Sequence, residues 1–201
     1  MNIKNKLITI SGIHGTGKST ILNLINKKIN WKEGVEREKN PFQNTFQAML
    51  FFVCSFSYRD LMVAKDRDYN DIIIDRWSTK DIEAYIEAFE NIGYLTSLEK
   101  NAIKNALNAS PSCQIQPDLA IFLDSNVETI LERLTKFREP SKHHIHERDC
   151  VALEELRKTF LKKFSAINNV DILKISTDGK RPEEIVCEIL EHPLMKKHIK
   201  K

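Results

Sequence analysis

The chain has 201 residues, 41% hydrophobic and 29% charged, with a net charge of +3. That fits one domain with a proper core, residues 1 to 201, and excludes a disordered or membrane-embedded chain. So slight a positive balance gives no case for nucleic acid as a partner. The longest apolar run, Met49 to Cys54, is far too short to cross a bilayer. Only MNIKNK precedes the first apolar strand, so no signal peptide fits. Cys54, Cys113, Cys150 and Cys187 lie far apart without C-x-x-C spacing. Free thiols in a reducing compartment, the cytoplasm, are therefore expected.

Leu7, Ile8, Thr9 and Ile10 read as a buried strand, and Ile21, Leu22, Leu24 and Ile25 give the following helix an apolar stripe. A second strand is placed near Gly34 to Arg37, and Asn40-Pro41 breaks the chain before a long helix. Phe42, Phe46, Met49, Leu50, Val53 and Leu61 recur at helical spacing from 42 to about 64. Phe42, Phe46 and Phe51 are expected to be mainly core. IIID, ending at Asp75, is an unalternating apolar run that fits a central parallel strand. Helices follow at 78–91 and 97–109, the second opened by a capping box of Thr96 with Glu99.

LAIFLD (119–124) is another buried strand. Ser125 and Glu128 suggest a second capping box, before a helix that turns Val127, Ile130, Leu131 and Leu134 inward and Glu128, Glu132 and Arg133 outward. Residues 136–149 lose apolar periodicity and collect charge. Helix returns with Leu153, Leu156, Phe160 and Phe164. A last strand spans Asp171 to Ile175, and Pro182 starts a closing helix. The basic run LMKKHIKK reads as a solvated tail. Alternating strands and helices imply a three-layer α/β/α fold with a parallel five-stranded sheet. Ligands of such sheets sit at the carboxyl ends of the strands: Gly12–Ser19, Glu36–Glu38, Asp75–Arg76 and Asp124 fall there.

Gly12, Gly17, Lys18 and Ser19 satisfy G-x-x-x-x-G-K-[ST], between a strand and a helix. Gly12, Gly15 and Gly17 let the backbone turn its N–H groups toward a phosphate, and the helix from Lys18 adds its positive end. The nucleotide loop is Gly12, Ile13, His14, Gly15, Thr16, Gly17, Lys18, Ser19 and Thr20. Lys18 is assigned to the β- and γ-phosphates of ATP, and Ser19 with Asp75 to Mg²⁺. The planar fork of Arg76 suits a phosphate on the second substrate. His143, His144, His146, Asp149 and Cys150 lack the paired spacing of a closed zinc site.

G-x-x-G-x-G-K-S-T after the first strand, D-R-W after the third, and P-D-L-A-I-F-L-D followed by E-T-I-L-E-R-L resemble the thymidylate kinase and deoxynucleoside kinase families over residues 5 to 176. The resemblance implies a P-loop kinase fold and phosphoryl transfer from ATP to dTMP or a related nucleoside monophosphate. The alternative acceptor is a deoxynucleoside, and a less favoured reading is a non-catalytic ATP-binding module. It also implies a mobile, arginine-bearing lid at about 136–149, with cations drawn from Arg133, Lys136, Arg138, Lys142 and Arg148, of which Arg138 and Arg148 are transition-state clamps. Acceptor residues implied are Glu36 or Glu38 as base, Phe46 and Gln47 reading the nucleobase, Arg59, Arg76 and a stacking Trp77. A homodimer is implied too. His14 stands where thymidylate kinases carry an acidic residue, and Arg37-Glu38-Lys39-Asn40-Pro41 replaces their Glu-Pro-Gly. No N/T-K-x-D tetrad for guanine occurs, which speaks against a GTPase switch.

Overall fold

The computed structural model describes residues 5–29, 31–34, 40–137, 147 and 149–196. Five parallel strands form one sheet in the order β2-β3-β1-β4-β5: β1 (Leu7–Ser11), β2 (Lys32–Glu33), β3 (Ile72–Asp75), β4 (Leu119–Asp124) and β5 (Asp171–Ser176). Helix α1 (Lys18–Lys28) leads from β1 toward β2, and α2 (Thr45–Asp66) from β2 to β3. Helices α3 (Ser78–Asn91) and α4 (Ser97–Ala109), then a 3₁₀ turn at Pro111–Gln114, precede β4. Next come α5 (Val127–Phe137), α6 (Cys150–Ser165), α7 (Pro182–Leu190) and α8 (Pro193–Lys196). None of the described helices is long and apolar enough to cross a membrane.

The apolar runs of β1, β3 and β4 do not alternate in type because both faces of these strands are covered. In β4, Leu119, Ile121 and Leu123 pack with α1 and α7, while Ala120 and Phe122 face the α3 and α6 side. In β3, Ile73 joins the first of these cores and Ile72 and Ile74 meet Leu7 and Val63. Phe122 stacks on Phe164 at 4.6 Å between ring centroids, an offset aromatic contact that seats α6 on the sheet. The order in which strands are laid down reverses at β1, which pairs in parallel with β3 on one side and β4 on the other. The crevice at the carboxyl ends beside β1 is where such sheets bind ligands.

Several local expectations change. The edge strand β2 lies at Lys32–Glu33 rather than 34–37, with Gly34 N still donating to Ile73 O at 3.0 Å. A Cβ on Gly34 would lie 2.3 Å from Ile74 Cγ2, so only glycine lets this edge approach β3. Helix α2 starts at Thr45, capped by the Asn44 side chain, which accepts from Gln47 N. Its buried face is Met49, Val53, Phe56, Arg59, Asp60 and Val63. Phe42 (42% exposed) and Leu61 (53%) point outward, Phe46 and Phe51 are half-buried, and Phe42 packs edge-on against Phe51. The run at the end of the chain is not all solvated tail, because Met195 is fully buried against the α1/α7 core.

The cap of α5 is Asn126, not Ser125: Asn126 Oδ1 accepts from Thr129 N at 2.7 Å. Ser125 Oγ instead donates to Asp178, whose Oδ1 also accepts from Asn126 N at 3.1 Å. Burial opposes ionisation of Asp178, but the donors Ser125, Asn126, Thr129 and Ser176 outweigh it and hold the carboxyl below its usual range. A depressed carboxylate stabilises the fold above its unfolded value and loses that contribution as pH falls through its folded value. Asp178→Ala should therefore cost about 1 kcal/mol at pH ~7 in urea unfolding, and less at pH ~3. A gap of equal size at both pH values would refute this.

Candidate active site

The loop between β1 and α1 turns through three glycines of positive φ: Gly12 at 142°, Gly15 at 78° and Gly17 at 94°. At Gly12 a Cβ would sit 2.4 Å from Leu123 O, so the loop passes against the end of β4 only because that atom is missing. Thr16 Oγ1 and Lys18 Nζ both donate to Ile13 O, each at 2.8 Å, which curls Lys18 back over the loop. Lys18 is buried, whereas Ser19 and Thr20 are exposed on the first turn of α1.

Asp75 ends β3 opposite Ile10 of β1, at the start of this loop. Its Oδ1 is buried with no hydrogen-bond partner among the described residues. An orphaned carboxylate oxygen beside a phosphate loop fits a place completed by metal-bound water. Arg76 follows in the left-handed region, φ 72°, a costly conformation for a residue with a side chain. Its Nη1 donates to Asp81 Oδ1 at 3.0 Å and to Gly12 O at 3.3 Å, joining the loop to α3. Burial alone would lower the Arg76 pKa, but Tyr85, Asp75 and Asp81 outweigh it and hold the guanidinium above its usual range.

Asp81 was not signalled by any motif, yet it organises the floor of the crevice. It accepts from Ser11 Oγ, from Trp77 N at 3.0 Å and from Arg76. Burial pushes its carboxyl up, against the downward pull of Arg76, Ser11 and Lys18. The available sequence signal was slight: a carboxylate in the first turn of α3, near a predicted arginine.

Arg59 departs from its expected place at the acceptor. Its guanidinium is buried and donates to Asp60 Oδ1, to the carbonyls of Asp75 and Arg76, and to Ser78 Oγ. Trp77 likewise does not line the crevice: it is buried, donates from Nε1 to Ile115 O at 3.1 Å and meets Phe164 edge-on. Phe46 packs half-buried against the α3 and α6 core, and the Gln47 side chain is exposed. Asp124 is bound by Arg157 at 2.9 and 3.2 Å. Glu36, Glu38, Arg138, Lys142, Arg148, His143, His144 and His146 lie outside the described residues, with most of 136–149.

Arg133, expected to face outward, turns to the phosphate loop. Nη1 reaches Gly15 O at 3.4 Å and Thr177 Oγ1 at 2.8 Å, while Nη2 donates to Thr177 O at 2.8 Å. Lys136 is exposed, with its ammonium over the Phe137 ring. The crevice thus gathers cations around a backbone loop at one end of the sheet, with carboxylates behind them. That arrangement suits polyphosphate binding and phosphoryl transfer.

The deoxynucleoside kinase family model matches residues 8–198. No curated protein sequence matches. Deoxyadenosine kinase from M. mycoides with bound dCTP is similar in fold, with a TM-score of 0.74 and 20% identity over 92% of this chain and 98% of that one. The same enzyme with products dCMP and a flexible dCDP gives 0.76 at 19% identity, over 92% and 96%. Thymidylate kinase from Candida albicans gives 0.66 at 19% identity, over 98% and 97%. Those likenesses show the P-loop kinase fold. With the family model covering nearly all of it, the chain belongs to the deoxynucleoside kinase family and is a nucleoside or nucleotide kinase.

Proposed function

We propose that the protein transfers the γ-phosphoryl group of ATP to the 5′-hydroxyl of a deoxynucleoside. The carrying observation is the pairing of Arg76, the arginine that reaches the phosphate loop. It is matched by Asp81 as a buried ion pair. A neutralised guanidinium offers no net charge to a second phosphate, so an uncharged acceptor suits this floor better than dTMP. Lys18, the Gly12–Thr20 loop and Arg133 remain for the donor.

In this reading Lys18 binds the β- and γ-phosphates, and Ser19 with Asp75 holds Mg²⁺, which neutralises charge on the transferred group. Arg76 sits at the transfer point, with Arg138 and Arg148 as cations closing on it. A nucleoside hydroxyl must lose its proton, and Glu36 or Glu38 is the base assigned to take it. Phe46 and Gln47 are assigned to the nucleobase. The enzyme is proposed to act as a cytoplasmic homodimer. A coupled ADP-release assay with MgATP, run against nucleosides and their monophosphates, tests the assignment. Turnover with a deoxynucleoside is expected. Turnover with dTMP alone would instead support the thymidylate kinase reading, and ATP binding without turnover a binding module.

A further inference from the structure

His14 stands in the middle of the phosphate loop, two residues after Gly12. Its Nδ1 lies 3.2 Å from the Tyr85 hydroxyl and 3.5 Å from Glu147 Oε1. The Glu147 side chain is wholly buried and that of His14 is 18% exposed. Tyr85 is fixed in turn: its ring meets Phe160 of α6 edge-on at 5.1 Å and lies under the Arg76 guanidinium at 5.4 Å. The loop is thereby tied by one side chain to α3 and to the chain just before α6. A carboxylate taken out of water loses several kcal/mol of solvation unless charge or donors face it. Facing both Glu147 and Tyr85 across one nitrogen therefore holds the orientation of the His14 ring.

We infer that Glu147 is a positioning residue for the phosphate loop, acting through His14. The inference rests on the reading of this loop as the ATP site. A loop with three positive-φ glycines has much freedom to lose when it wraps a polyphosphate. Anchoring the side chain at its centre fixes part of that freedom before the nucleotide arrives. The benefit belongs to binding, since His14 and Glu147 carry no assigned part in the transfer step.

Glu147→Gln, His14→Gln and the double variant separate these possibilities, with Tyr85→Phe as a milder probe that keeps the ring. MgATP affinity is read by calorimetry, and KM and kcat by ADP release. Each Gln variant should weaken ATP affinity and raise its KM by about five- to twentyfold, with kcat within about threefold. The double variant should be no weaker than the worse single one, because the two residues act as a unit. Unchanged ATP affinity in Glu147→Gln, or a double variant equal to the product of the singles, overturns the positioning role alone. Wild-type protein without affinity for MgATP would overturn the donor-site reading as well.

Discussion

Lys18→Met should lower kcat/KM in the ADP-release assay by about a thousandfold, or ~4 kcal/mol of transition-state stabilisation. The argument starts from placement. Lys18 is the first residue of α1, buried, with its ammonium donating to Ile13 O inside the loop. An ammonium there lies at the rim of the cradle, within reach of phosphate oxygens seated in the loop. Its charge acts where water is largely excluded, so each oxygen it meets gains more than it would in bulk solvent. Methionine keeps the aliphatic stem and removes only the charge, so the thermal midpoint should shift by no more than a few degrees. A variant that keeps activity within tenfold of wild type would remove Lys18 from the transfer step.

The loop was legible because its chemistry forces its spelling. Glycines at 12, 15 and 17 all take positive φ, which costs a side-chain-bearing residue, and a Cβ would strike Leu123 O at Gly12 and Ile130 at Gly15. The boundaries of α4 and β4 were legible for comparable reasons. Thr96 and Glu99 form the reciprocal capping box that their spacing announces, and LAIFLD is apolar on both faces because both faces are covered. Edge strand β2 was misplaced because Lys32 and Glu33 are exposed, so no buried pattern marks them.

The walls of the crevice were harder to read. Periodicity assigns charged residues to the solvent face, yet Arg59, Asp60, Arg76 and Asp81 are all buried. Arg59, Arg76 and Asp81 each bond a backbone carbonyl or a side chain far along the chain, of which local spacing holds no trace, and Asp60 is held by its neighbour Arg59. Trp77 shows the reverse error. It follows Arg76 directly, but the left-handed turn at Arg76 and the start of α3 send the indole into the core toward Ile115 and Phe164. Arg133 looked like surface charge because its partners, Gly15 and Thr177, come from two other connections.

Arg59→Met should destabilise the fold by about 3–5 kcal/mol, because it leaves the Asp60 carboxylate buried without its counter-charge. In a chain of this size that corresponds to a fall of roughly 10 °C in the thermal midpoint. The loss extends beyond one ion pair. Arg59 donates to the carbonyls of Asp75 and Arg76, in the peptides that enter and leave the left-handed residue. A left-handed arginine costs on the order of 1–3 kcal/mol, and it persists only where its surroundings hold it. Without those donors the turn is free to relax, which would carry the Asp75 carboxylate and the Arg76 fork away from the loop. Arg59→Lys should fail to restore activity, since an ammonium cannot reproduce a planar fork shared among a carboxylate, two carbonyls and a hydroxyl. Adding Asp60→Asn to Arg59→Met should recover part of the stability, by removing the stranded charge, but little of the turnover. Equal recovery of both would mean that Arg59 serves the fold through Asp60 alone. Wild-type stability in Arg59→Met would remove the clamp altogether.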